Sequence, residues 1–204
     1  MQLLHQTISK LKGFKEWFDT LSLHESQLVL GLSGSVKHLA ESCAFEKLDK
    51  QLVIVTPTLL QATQTYEELS EWYDDEVVHL FPVEESLAAD FSVVSPDVVS
   101  QRIRTLDFLS RGQKGIVIVP LSGIQKLLVP AAVWKKSSIE LAMGSEIESM
   151  DAFVEQLVEL GYRRENMVAT PGEFALRGSI VDIYPLDQEY PLRIDFFDTE
   201  VDSI

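Results

Sequence analysis

Apolar positions recur along this chain with two different periods, and the period changes mark its elements. Leu11, Phe14, Phe18 and Leu21 fall at helical spacing within residues 10–23. A short apolar run follows, LVLGL (28–32), and leads into SGSVKHLAESCAFEKL, which predicts strand, glycine-bearing turn and helix. LVIVTP (52–57) is continuously apolar and β-branched, as a strand buried on both faces should be. Thr56-Pro57 reads as the N-cap and first position of a helix whose Leu59, Ala62, Tyr66, Leu69 and Tyr73 share a face. VVHLF (77–81) and GIVIVP (115–120) predict two more strands. Between them, SPDVVSQRIRTLDFLSRG (95–112) opens on Ser95 and Pro96, carries Val99, Ile103, Leu106 and Leu109, and closes on Gly112.

Strands alternating with helices imply an α/β domain with a mostly parallel sheet over residues 1–130. From 131 to 204 the pattern describes a small α+β domain. IELAMG (139–144) predicts a strand. Ser149 is placed to cap a helix bearing Phe153, Val154, Leu157 and Leu160, ended by Gly161. FALRGSIVDIYP (174–185) and PLRIDFFD (191–198) are strand-rich, with LDQEYP as a turn. The last residues, DFFDTEVDSI, run on from a strand, so the chain is expected to be cut from a longer one at residue 204.

Charge narrows the function. The 204 residues carry 17 Lys and Arg against 32 Asp and Glu, a net charge of −15. Phosphate attraction needs clustered cations, so a general nucleic-acid binder or a protein adsorbed to an anionic membrane is a poor reading. The single cysteine, Cys43, makes no internal disulfide, consistent with a reduced, cytoplasmic setting. No run of about 20 apolar residues is present to span a bilayer.

The sharpest local motif is GLSGSVKH (31–38). Its frame is that of a P-loop, and Gly31, Gly34 and Lys37 fit. Val36 stands where a glycine lets the backbone wrap a phosphate, and His38 where a hydroxyl would hold Mg²⁺. From spacing alone the motif reads equally as a degenerate nucleotide site or as a Gly/Ser turn.

In the second part, PLRIDFFD read as a strand puts Leu192, Ile194 and Phe196 on one face and Arg193, Asp195 and Phe197 on the other. An aromatic beside an arginine on a charged face matches the residue types enriched at binding hot spots. Arg177 lies on the neighbouring strand, before a Gly178 that suggests a bulge. Two plainer readings stand beside this one. Arg177 and Arg193 pair across the sheet with Asp182 and Asp195, and Phe197 packs against a following domain. Other groupings are weaker. Asp195, Asp198, Glu200 and Asp202 lack the spacing of a calcium loop. The acidic stretch EELSEWYDDE (67–76) reads as a solvated helix end. His5, His24, His38 and His79 form no metal motif. GLSGS lacks the last glycine of a nucleophile elbow.

Taken together, GLSGSVKH, GYRR (161–164), PGEFALRGSIVDIYP (171–185) and PLRIDFFDTEVDSI (191–204) resemble the N-terminal region of the bacterial transcription-repair coupling factors, and the same region of the excision-repair protein UvrB. UvrB has an intact P-loop and a long aromatic-rich hairpin for damaged DNA. Here Val36 and His38 break the loop, and HLFPVEESLAADFSVVSPD (79–97) is too short for the hairpin. The resemblance therefore favours the coupling factors. It implies a UvrB-like module that has lost nucleotide binding, needs no cofactor, and binds UvrA through Arg177, Arg193 and Phe197. It also implies masking of that surface by other domains of the parent chain. RNA polymerase, DNA and the ATP- and Mg-dependent motor would be engaged by the parent's remaining part. The rival reading is a nucleotide-binding, UvrB-like damage-processing module.

Overall fold

The computed structural model describes residues 12–21, 26–83, 95–125, 128–188 and 190–204. They fall into two compact units. One takes the described residues up to 83 together with 111–125, the other those of 95–110 and 128–204.

The first unit contains α1 (Lys12–Thr20), α2 (Ser35–Leu48), β1 (Leu52–Thr56), α3 (Leu59–Ser70), β2 (Val78–Leu80) and β3 (Ile116–Pro120), followed by a single helical turn, Leu121–Ile124. The strands make a parallel sheet in the order β1-β3-β2. Leu52 lies opposite Ile116 on one side of β3, and Val78 opposite Ile116 on the other. All five β3 residues are buried, as the middle strand of a parallel sheet requires. Ile54, Val78, Leu80, Ile116 and Ile118 pack with Phe45 of α2 and with Ala62 and Leu69 of α3. The helix cap differs from the sequence expectation. Thr56 is the last residue of β1, and the cap is Thr58, whose hydroxyl accepts from the Gln61 amide at 3.2 Å. Pro57 is compatible with either position, so the Thr-Pro pair alone is ambiguous.

The apolar run at 28–32 does not form the expected strand. Residues 26–30 carry no regular structure, and Leu28 and Leu30 are 84% and 79% exposed. An apolar run becomes a strand only by pairing, and residues 26–30 pair with none of the described strands.

The second unit comprises α4 (Pro96–Arg111, apart from its last residue), α5 (Ala131–Lys136), α6 (Met150–Glu159), β4 (Arg163–Arg164), β5 (Glu173–Arg177), β6 (Ile180–Ile183), β7 (Leu192–Phe197) and β8 (Glu200–Ser203). Its sheet has the order β4-β5-β6-β7-β8, parallel between β4 and β5 and antiparallel thereafter. Ser149 caps α6, its hydroxyl accepting from the Ala152 amide at 3.1 Å. Phe153 and Leu157 of α6 then pack against Phe174, Val181, Ile183, Ile194, Phe196 and Val201, which fill one face of the sheet. The Ser100 hydroxyl of α4 bonds to the Leu186 carbonyl, and Arg104 Nη2 donates to the Gln188 carbonyl at 2.9 Å.

Two expectations change here. The 139–144 segment is not a strand. Ladder bonds begin only at its last residue, where the Gly144 amide, followed by that of Ile147, donates to the Val201 and Thr199 carbonyls respectively. Ile139 and Leu141 serve the core as loop residues, which explains their apolar character without a strand. The stretch 174–185 is also not one strand but a hairpin. Gly178, at φ +65°, makes a tight two-residue turn with Ser179, and the irregularity in the sheet falls instead between Asp195 and Phe196. A positive φ at the first turn residue is a glycine position, and the same requirement mimics a bulge signal in sequence.

Candidate protein-binding surface

The alternation of β7 separates its side chains cleanly. Ile194 and Phe196 are buried, Leu192 is half-buried, and Arg193 and Phe197 are exposed. Register then assembles the outer face. Asp182 stands between Ala175 and Arg193 in one cross-strand row. Arg177, Ile180 and Asp195 make the next row, and Phe197 lies opposite Glu200. Arg177, Arg193 and Phe197 therefore share the face turned away from α6. Phe197 is 77% exposed, an aromatic on an otherwise charged face.

Arg193 is not loose on this face. Its Nε donates to Asp182 Oδ1 at 2.6 Å and its Nη2 to Oδ2 at 2.9 Å, a two-bond clasp between adjacent strands. These bonds, the Arg193 charge and the nearby Arg177 charge together hold the Asp182 carboxyl below the usual carboxylate range. The same pairing raises the Arg193 guanidinium further. The cross-strand partnership of Arg193 with Asp182 is thus present. Asp195 Oδ1 accepts from the Ser179 hydroxyl at 3.2 Å, and Arg177 donates from Nη2 to the Asn166 carbonyl at 2.7 Å.

Neither Asn166 nor Glu173 stands out in the sequence, although the latter lies within PGEFALRGSIVDIYP, yet they shape the surroundings of Arg177. Glu173 accepts from the Ala169 and Thr170 amides, both at 2.9 Å, and lies 3.5 Å from Arg163 Nη2. The backbone bond from Ala169, followed by that from Thr170, pulls its carboxyl below its ordinary value. This folds the connection between β4 and β5 over Glu173 and brings the Asn166 carbonyl to Arg177.

The P-loop-like segment is arranged differently. Gly31 and Gly34 both have positive φ, at +85° and +56°, and α2 starts at Ser35 with no side-chain cap. Val36 is half-exposed. Lys37 Nζ lies 3.6 Å from Glu41 Oε1, within its own helix. His38 is buried, with Nδ1 2.8 Å from Glu41 Oε2 and Nε2 3.9 Å from Glu68 Oε2. Both side chains that end the motif are thus engaged with carboxylates, and the strand that should precede a P-loop is missing.

His5, His24 and residues 84–94 of the 79–97 stretch lie outside the described residues. Among the described residues no three His, Cys, Asp or Glu side chains are grouped as a metal site would need. No helix there is long and apolar enough to cross a membrane.

Residues 139–204 match the family model of the UvrB interaction domain. The five-stranded sheet and α6 lie within that match and form a domain of that class, with Arg177, Arg193 and Phe197 exposed on the outer face. Nearly the whole chain is in turn related to the transcription-repair-coupling factors, as its motifs suggested. It is 44% identical over 197 residues to that of Staphylococcus epidermidis, covering 97% of this chain and 17% of the relative. It is 41% identical over 185 residues to that of Bacillus subtilis, covering 89% and 16%. The chain spans about a sixth of the length of these relatives.

Proposed function

We propose that this chain is a non-catalytic adaptor of a transcription-repair-coupling factor, and that it binds UvrA by presenting the surface UvrB presents. The observation that carries the reading is the exposure of Arg177, Arg193 and Phe197 on the same sheet face within the residues that match the UvrB interaction domain. An exposed aromatic and a fixed arginine on the same face of one strand supply the apolar anchor and the directional donor of a hot spot. In the cytoplasm of a bacterium, the parent would act as an ATP-driven translocase on DNA at stalled RNA polymerase, and this module would bring UvrA to the lesion.

The α/β unit is read as a P-loop descendant without hydrolytic activity. Lys37 and His38 face Glu41, so a phosphate entering there would meet a carboxylate beside the only motif lysine. The UvrA-binding face is further proposed to be masked in the resting parent, so that the isolated chain binds more tightly than the full-length protein.

Calorimetric titration with purified UvrA tests the reading. Saturable binding at a fixed stoichiometry is expected. Absence of binding by the folded chain would overturn it.

A further inference from the structure

Arg193 combines two properties that rarely go together: its side chain is 65% exposed, yet it is held by two hydrogen bonds. A guanidinium has five N–H donors in one plane. Asp182 takes the Nε–H and one Nη2–H, the side edge of the fork. The other Nη2–H and one Nη1–H form the outer end edge, away from Asp182, and the second Nη1–H points back toward Cδ. That end edge matches the two oxygens of a carboxylate.

Asp182 is well suited to hold the fork. Its side chain is only 17% exposed although it sits on the outer face. It is anchored in the middle strand of the sheet, opposite the small Ala175 on one side and Arg193 on the other. Its charge is shared with Arg177, diagonally placed on β5. An arginine otherwise samples many rotamers, and binding must order it. A residue that orders it beforehand lowers that cost.

We propose that Asp182 is a positioning residue of the binding face, fixing Arg193 side-on so that its Nη1–Nη2 edge receives a carboxylate of the partner. This rests on the reading of the outer sheet face as the UvrA surface, and it predicts a sign that distinguishes positioning from simple charge. If Asp182 acted only through its charge, removing it would leave the face more positive and strengthen binding to an acidic group. If it positions Arg193, removing it weakens binding.

The experiment is a double-mutant cycle on UvrA affinity with Asp182→Asn, Arg193→Lys and both together, each variant first shown to melt like the parent. Alongside it, the Arg193 Nε–H resonance is followed by NMR in the chain alone. Asp182→Asn should weaken binding about five- to tenfold. It should add little in the Arg193→Lys background, and the slowly exchanging Nε–H signal should be lost. Tighter or unchanged binding by Asp182→Asn, or an equal loss in the Arg193→Lys background, overturns the positioning role while the surface reading stands. A wild-type chain that does not bind UvrA overturns the surface reading and this inference with it.

Discussion

Phe196 and Phe197 are neighbours in sequence and opposites in environment: the first is 3% exposed, the second 77%. Phe196 packs against Phe153 of α6, with ring centroids 5.7 Å apart. Phe197 stands on the other face, one residue before a turn in which Asp198 has φ +60°. The period of two along β7 makes this division, and a slip of one residue would exchange the two roles.

The pair therefore separates stability from binding. Phe196→Ala should destabilise the domain by about 3–5 kcal/mol, the usual result of emptying an aromatic core site. Phe197→Ala should change stability by less than about 0.5 kcal/mol. Urea denaturation of the two variants checks both values, and a large loss from Phe197→Ala would mean that its ring is supported in a way its exposure does not show.

Nucleotide should leave the chain unaffected. A ligand that binds only the native state raises the melting temperature by mass action. With Lys37 and His38 both engaged by Glu41, millimolar Mg-ATP is expected to give no shift. A reproducible rise would favour the nucleotide-binding reading.

Cys43 provides a pH test of the first unit. Its thiol is pushed up to about 11, first by burial and then by the charge of Glu46. The fold prefers the protonated thiol, so the unfolded chain loses the proton first. The contribution to stability is complete below pH 9.0, the ordinary value, and is lost as pH rises from there towards 11. Denaturation of wild type and Cys43→Ala across that range should show a steeper fall for the wild type. The buried thiol should also resist alkylation at pH 8 until the chain unfolds.

Gly123 is required by packing. A Cβ there would lie 2.7 Å from Val119 Cγ2 and 3.0 Å from Val83 Cγ2. Both are branched side chains in the core with little freedom to move. Gly123→Ala should cost about 1–3 kcal/mol, read from its thermal or urea midpoint.

Local pattern carried much of this architecture. The β-branched runs that became β1 and β3, the Ser149 cap of α6 and the alternation of β7 were all legible, because in each case one local preference agrees with the final packing. Leu28–Leu30 and Ile139–Leu141 misled, since apolar content alone does not say whether a segment finds a pairing edge. Gly178 signalled an irregular backbone but not its kind, and β8 had too little apolar character to stand out. For the candidate surface, Arg177, Arg193 and Phe197 could be placed on one face from register and resemblance. Cross-strand pairing with Asp182 was legible as one of two readings, but its two-bond geometry and the bond from Arg177 to the Asn166 carbonyl needed the tertiary structure, the latter because it joins separate segments of the chain.

The central claim is that the outer face of the second sheet is the UvrA-binding surface. Its most direct test is UvrA affinity measured for Arg177→Ala, Arg193→Ala and Phe197→Ala, with each variant's melting curve recorded beside it. We expect at least about tenfold weaker binding for each, as for residues at the centre of an interface, with melting near wild type for Arg177→Ala and Phe197→Ala and a lower melting temperature for Arg193→Ala, which leaves Asp182 without its clasp. Wild-type affinity in all three folded variants would contradict the account and place the partner elsewhere on the chain.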